Sequence, residues 1–377
     1  MRILHIITGL GTGGAEATLF KFIQSAENDS HSVISLLGRG WYASEFEKLG
    51  VPVFAIQMSR RSINLAKIIR IWCIVRSIKP DIIKTWMYHS NLIGGIIGKT
   101  LRIPVVWGIH NSALSSSRSR IQTRMIDKMC SIISNSVPDK IVACANCSRD
   151  VHVKNGYNAS KIQVIQNGYD TAKFAPNSSA REILREQWGV NKSTFVIGMV
   201  ARYDSEKDHS TVIKSIRSLI DAGHDLKLVL VGSNIKGDNR VIVNELRDNN
   251  MESHTLLLGE RRDIADIMNA IDIHVLCSFS EAFPNVLCEA MACGTPCVGT
   301  NVGDVEDIIG GTGFIVPVQD VSSMVNAIGD AQAQSRNSMQ WNNRKIECRD
   351  RIIEMFHINI MLSKYHNCLR EVASIKN

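Results

Sequence analysis

The sequence predicts an α/β protein built of two open, doubly wound domains that face each other across a cleft. Three observations carry that expectation. The chain has 377 residues, enough for about two domains with separate cores. Short β-rich runs alternate with helical stretches along its whole length, the signature of parallel sheets covered by helices. The polar, proline-containing stretch "NGYDTAKFAPNSSAREIL" separates the two halves and reads as a hinge.

Taken in order, the first half offers strands at residues 3–7, 33–37, 53–56, 82–85, 105–109, 140–143 and 162–165. The first is an apolar run entering a glycine-rich turn, and the last alternates apolar and polar residues before an Asn-Gly turn. The second half offers strands at 195–200, 227–231, 255–258, 273–276, 297–300 and 313–316. The end of the chain, 351–375, has a helical composition. The expected division is residues 1–172 for the first domain and 173–356 for the second, with a helix at 357–377 packing back on the first. Two such domains place their ligands at the carboxyl ends of both sheets.

Composition narrows the class. With 45% hydrophobic and 21% charged residues the chain resembles a soluble globular protein. The most apolar window, "NLIGGIIGKTLRIPVVWGI", is broken by Lys99 and Arg102, so no stretch reaches the roughly 18 apolar residues of a membrane span. The start runs straight into strand-like sequence without the plan of a signal peptide. Ten scattered cysteines suggest reduced thiols, and Cys144-x-x-Cys147 has no second pair at zinc-site spacing. The expected location is therefore the cytoplasm. The net charge of +7 is uneven: residues 1–170 hold 21 Lys and Arg against 10 Asp and Glu, the remainder 22 against 26. The basic half includes "SRRSINLAKIIRIWCIVRSIKP" and "SSSRSRIQTRMIDK", which suggest an anionic partner surface. Nucleic acid fits poorly, since no reading module accompanies the charge. An anionic membrane leaflet, met peripherally, fits better.

The turn "HIITGLGTGGAEA" contains Gly9-x-Gly11-x-x-Gly14 directly after the first strand. Glycines there let the backbone approach an anion while the next helix aims its free N–H groups at it, so the motif says phosphate more safely than dinucleotide. A reductase reading finds support in Tyr157-x-x-x-Lys161. It also requires a ribose-binding acid about 20 residues past the glycines. The second strand instead ends in Gly38-Arg39-Gly40, which leaves only an NADP reading with Arg39 on the extra phosphate. The residues after Lys161 read as strand and turn, whereas the Tyr-Lys pair must ride on one helical face. Coincidence is the better explanation.

The richest line is "LCSFSEAFPNVLCEAMACGTPCVGTNVGD". A strand ends near Cys277, a loop carries Glu281, and Pro284 sits where a first helical turn tolerates proline. Glu289 follows eight residues after Glu281, so the two carboxylates bracket a helix N-terminus. That arrangement suits a ligand with hydroxyls at two places and a negative linkage between them, as in a nucleotide sugar.

On these residues the chain resembles the retaining glycosyltransferases of GT-B fold, family 4 (glycosyl transferases group 1), through their Glu-x7-Glu motif. "MVARYDSEKDHSTVIKSI", "KIQVIQNGYDTAKFAP", "GERRDIADIMNAIDIHVLCS" and "GGAE" resemble further segments of that family in the right order. The resemblance implies a GT-B fold, two Rossmann-like domains facing each other across a cleft, and gives each residue a role. Arg202 and Lys207 would hold the donor diphosphate, a task a fixed cation pair can perform without a metal. Glu289 would accept from the ribose. Glu281 and the amides around Phe283, Asn285, Val286 and Leu287 would read the sugar, and Arg262 to Ile264 would lie against the base. His110 would stand near donor sugar and acceptor, and Gly13 and Gly14 would meet the phosphates. Glu16 and Asn167 are candidates for acceptor or phosphate contact.

The chain contains no Asp-x-Asp, so no metal and no cofactor are expected. The implied partners are a nucleotide sugar, with UDP favoured over GDP, and a glycan acceptor, lipid-linked, at the inner face of an anionic plasma membrane. "FPNVLC" stands where many relatives carry glycine and bulkier residues, which leaves the donor sugar open. The rival classes are an NADP-dependent reductase or epimerase and a non-catalytic nucleotide-sugar binding module.

Overall fold

In the computed structural model, residues 1–26, 29–59, 64–111 and 121–374 are described. The chain divides into two compact units, Met1–Gly168 with Asn359–Asn377, and Tyr169–Ile358. The first unit holds a seven-stranded sheet in the order β3-β2-β1-β4-β5-β6-β7. Its strands are β1 (Arg2–Ile7), β2 (Ser30–Ser35), β3 (Val53–Ala55), β4 (Ile82–Trp86), β5 (Val105–Ile109), β6 (Lys140–Ala143) and β7 (Ile162–Val164). The second unit holds six strands in the order β10-β9-β8-β11-β12-β13. They are β8 (Phe195–Val200), β9 (Leu226–Val231), β10 (Thr255–Leu257), β11 (Ile273–Leu276), β12 (Cys297–Thr300) and β13 (Phe314–Val316). Every strand expected from the sequence is present, and all the pairings are parallel.

Parallel strands joined by helices are covered on both faces, which explains why they read as nearly continuous apolar runs. In the first unit Leu4, Ile6, Ile83, Val105, Trp107 and Ile141 are buried together. In the second, Ile197, Met199, Leu228, Leu230, Val275 and Val298 do the same. Each sheet reverses its winding at one place, between β1 and β4 and between β8 and β11. Those reversals open crevices at the strands' carboxyl ends.

The division falls after Gly168 and Ile358 rather than after residues 172 and 356. From Tyr169 onward, the polar stretch that reads as a hinge is held within the second unit. Arg349 donates to the carbonyls of Phe174 at 3.0 Å and Thr171 at 3.1 Å, Tyr169 is fully buried, and Asn177 caps the helix Ser178–Gln187. The terminal stretch is two helices and not one. Ser338–Phe356 and Ile358–Ser374 are separated by His357, whose extended backbone (ψ 144°) pairs with Tyr169. The second of these helices belongs to the first unit; residues 375–377 lie outside the described residues.

Candidate functional site

In the second unit the loop after β8 brings Arg202 and Lys207 to the reversal of the sheet. Asp204 caps the short turn Ser205–Lys207 by accepting from the Glu206 amide at 2.9 Å, and also pairs with Arg202 Nε at 3.4 Å. The Glu206 amide is the main cause that lowers the Asp204 carboxyl. Asp208 adopts a left-handed conformation (φ 47°) rare outside glycine, and its carboxylate accepts from the Thr211 amide and hydroxyl, starting the helix His209–Asp221. Lys207 is thereby directed to Glu281, with which it forms an ion pair. The carbonyl of Glu206 accepts from the Phe279 amide at 2.9 Å, tying the loop after β8 to the loop after β11.

That second loop is equally determined. Ser278 Oγ donates to Glu281 Oε1 at 2.7 Å, and its carbonyl accepts from Thr300 Oγ1 at 2.7 Å. Gly303 (φ 57°) lies so close that a Cβ there would stand 2.3 Å from the Glu281 carbonyl oxygen, so only glycine lets the backbone pass. Pro284 is the residue before the helix Asn285–Ala292, just outside its first turn. Glu289 therefore stands in the helix's second turn, and Glu281 before its N-terminus. Phe283 and Leu287 are buried, so only their backbone amides can meet a ligand. The Phe283 ring stacks on Tyr169, whose hydroxyl donates to Asn285 Oδ1, and packs edge-on against Phe356. Val286 and Asn285 are part-exposed on the helix's first turn. Past β10, Arg262 is exposed and Ile264 opens the helix Ile264–Ala270, beside the Arg261–Asp263 ion pair.

In the first unit, Gly13 and Gly14 begin the helix Gly14–Gln24 after β1. A Cβ on Gly13 would stand 2.5 Å from Glu16 Oε2, so the carboxylate folds back over the helix start. Burial raises the Glu16 carboxyl above its ordinary pKa. Asn167 is 8% exposed and accepts from Thr18 Oγ1 at 3.2 Å, so it braces this helix and offers a ligand little surface. His110 follows β5, its ring stacked on Trp86 with centroids 4.9 Å apart. Burial, and then the positive charge of Lys84, push its pKa down to about 3. In each unit, the sequence-predicted residues thus gather at the carboxyl ends of the strands.

The residues of the reductase reading are committed elsewhere. The Tyr157 hydroxyl is buried and donates to Asp127 Oδ1 at 2.7 Å, while Lys161 Nζ donates to the carbonyls of Asn135 and Pro138. Tyr157 precedes a three-residue 3-10 turn, Ala159–Lys161, that Lys161 ends, and no helical face carries both. Arg39 is paired with Glu47 of the helix that follows it, Gly40–Lys48. Sequence reasoning missed Ser278, Asp208 and Gly303, although "TNVGD" carries the turn signal that Gly303 answers. Among the described residues no cluster of His, Cys, Asp or Glu forms a metal site, and the ten cysteines are free thiols.

The chain matches two family models in sequence, "Glycosyltransferase Family 4" over residues 12–173 and "Glycosyl transferases group 1" over 180–347. It is 27% identical over 320 residues to the UDP-Gal:alpha-D-GlcNAc-diphosphoundecaprenol alpha-1,3-galactosyltransferase of Escherichia coli, covering 82% of this chain and 81% of that enzyme. Among solved structures, Anabaena HepE in complex with UDP superposes with a TM-score of 0.86 at 20% identity, covering 98% of this chain and all of HepE. HepE in complex with UDP-glucose gives 0.83 at 19% identity over the same shares. At these identities the structures share the fold.

Proposed function

Because the chain belongs to the group 1 glycosyltransferases of GT-B fold, enzymes of bacterial polysaccharide and glycan biosynthesis, we propose that it transfers a hexose or N-acetylhexosamine from a UDP-sugar to a hydroxyl of a lipid-linked glycan, with retention. The observation that carries this reading is the Lys207–Glu281 pair at the β8/β11 reversal, with Arg202 on the same loop as Lys207 and the helix Asn285–Ala292 starting shortly after Glu281 in the chain. A cation, a carboxylate and a helix N-terminus gathered at one crevice suit a diphosphate joined to a sugar. The Lys207 ammonium carries three donors, so it can keep Glu281 and still take a phosphate oxygen. Glu281 retains acceptor capacity for a sugar hydroxyl.

Arg202 and Lys207 would stabilise charge as the diphosphate leaves, and Glu289 would hold the ribose. No resident metal takes part. Retaining hydrolases use a carboxylate nucleophile about 5 Å from their acid, and no carboxylate among the described residues stands out for that role. The mechanism we favour is a same-face displacement. The bond from anomeric carbon to phosphate oxygen breaks, the bond to the acceptor oxygen forms on that face, and the acceptor's proton passes to the leaving phosphate. His110 would contact the donor sugar, and Gly13, Gly14 and Glu16 would complete the phosphate and acceptor side.

The preference for UDP is supported by the ligands of HepE, and the lipid-linked acceptor by the named substrate of the Escherichia coli relative. Peripheral attachment to an anionic leaflet is supported by the helix Ile121–Ile133. It exposes Ile121, Met125, Met129 and Ile132 along one side, with Lys128 among them. Arg60, Arg61, Arg118 and Arg120 of the basic stretches lie outside the described residues. No helix among the described residues is long and apolar enough to cross a membrane.

A thermal-shift panel of UDP- and GDP-sugars tests the donor. The true donor at 100 times its dissociation constant should add about 2.7 kcal/mol. Stabilisation by NADPH with none by any nucleotide sugar would sink the reading. Binding without turnover on any lipid-linked glycan would mark a non-catalytic module.

A further inference from the structure

Lys84 lies within β4 with no exposed surface. Its Nζ donates to the Trp107 carbonyl at 3.0 Å and sits over the rings of Trp86 (5.1 Å) and Tyr365 (5.5 Å). No carboxylate among the described residues pairs with it. A buried amine without a counter-charge is costly, and burial pushes its pKa down to about 7. Such a residue calls for an explanation other than stability.

The explanation lies beside it. His110 Nε2 is buried and has no hydrogen-bond partner among the described residues. The point where a Cβ on Gly108 would stand is 2.9 Å from Lys84 Nζ and 3.1 Å from His110 Nε2, so the two nitrogens face the same small space, which glycine keeps clear. The indole N–H of Trp86, on which His110 stacks, is already given to His5 Nδ1 at 3.3 Å. A neutral imidazole carries its one proton on either ring nitrogen, and below about pH 7, where Lys84 is an ammonium, a proton on the nitrogen nearer that cation is disfavoured. The ring nitrogen facing Lys84 is then the one without the proton.

We propose that Lys84 is a positioning residue that fixes the tautomer of His110: its charge, close to Nε2 without hydrogen-bonding to it, keeps the proton off that nitrogen and on Nδ1, so that His110 meets substrate as a neutral hydrogen-bond donor. The contact with substrate rests on the role given to His110 above; the tautomer does not.

The test uses the full-length protein, labelled with ¹⁵N at its eleven histidines and free of donor. Two-bond ¹H–¹⁵N spectra at about pH 6, where Lys84 is protonated and His110 neutral, report which ring nitrogen carries the proton, and His110→Asn assigns the signal. The expected result is His110 protonated at Nδ1 in the wild type, with Nε2–H becoming populated in Lys84→Met while the other histidine signals stay in place. In turnover, Lys84→Met should lower kcat about tenfold, the worth of about one hydrogen bond, with little change in donor KM. A wild-type signal protonated at Nε2 would overturn the proposal even where the variant fails to fold. So would a folded Lys84→Met with an unchanged tautomer. Full turnover in His110→Asn would instead remove His110 from the substrate and leave the tautomer result standing.

Discussion

Lys207 and Glu281, on loops that follow different strands, form an ion pair whose carboxylate also accepts from Ser278 Oγ at 2.7 Å. The side chains of both are largely buried, at 19% and 15% exposure, so the pair is held in place rather than fluctuating in solvent. A donor arriving here finds its cation already aimed, which is the condition under which an electrostatic contact lowers a barrier without reorganisation.

Removing either cation tests that arrangement. Arg202→Ala and Lys207→Ala should each fold and lose turnover by a factor of about 100 to 1,000, as removal of a preorganised donor commonly does. Wild-type activity should persist in chelator. Near-normal turnover in both variants, or activity abolished by chelator and restored by Mg²⁺ or Mn²⁺, would discard the metal-free diphosphate site.

Glu289 should behave differently. A ribose contact changes little between ground and transition states, so Glu289→Ala should raise donor KM while kcat stays within a few-fold. Steady-state kinetics at varied donor separate the two parameters, and a loss confined to kcat would contradict the assignment.

Stability of the second unit should depend on Asp272. It accepts from Arg181 at 2.5 Å, from Arg185 at 3.1 Å and from the Val196 amide at 2.7 Å, at 13% side-chain exposure. Asp272→Ala leaves two guanidinium groups without their carboxylate and should cost about 3 to 5 kcal/mol, read by urea unfolding. A loss below about 1 kcal/mol would show these pairs to be marginal.

Acid should destabilise both units. Burial lowers His31 and His209 to about 4, and His110 and His274 to about 3, from an ordinary value near 6.5. Because the folded values are depressed, the unfolded chain takes up protons first as pH falls. The histidines' contribution is therefore complete above about 6.5 and is lost between there and about 3 to 4. Each can remove up to about 1.4 kcal/mol per pH unit in that window. Unfolding free energies measured from pH 7.5 to 4.5 should fall steadily below 6.5, and a flat profile would contradict the neutral, buried state of these rings.

Attachment to lipid should follow charge. Vesicles containing anionic lipid should sediment the protein at low salt and release it at high salt, because exposed attractions are screened beyond about 10 Å at 0.1 M. Equal binding to neutral vesicles would leave only the apolar stripe of Ile121, Met125, Met129 and Ile132 to account for attachment.

The strands were legible because a parallel sheet buries both faces and writes itself as short apolar runs; 105–109 and 195–200 match to the residue. The glutamates were legible because their spacing brackets a helix start, and the cations because their segment resembles that of the family. What was not legible depends on contacts distant in sequence. Nothing local distinguishes Lys84 from a surface lysine, since its burial is made by Tyr365. His357 interrupts a helical pattern because its backbone pairs with Tyr169, far earlier in the chain. Phe283 lay within the sugar-reading line, yet its ring is spent on Tyr169 and Phe356.

The assignment of Asn359 onward to the first unit constrains how the protein is made. The second unit is one continuous stretch and can fold as soon as it leaves the ribosome. The first unit, although it is translated earlier, cannot close until the segment beyond residue 358 has been synthesised. Through that interval the face of β4 that carries Lys84 and Trp86 lacks Tyr365, so the nascent protein holds an unfinished sheet after the whole of the second unit has been synthesised. Translation that stalls before this segment would leave that apolar face uncovered, the kind of surface on which chaperones and aggregation compete.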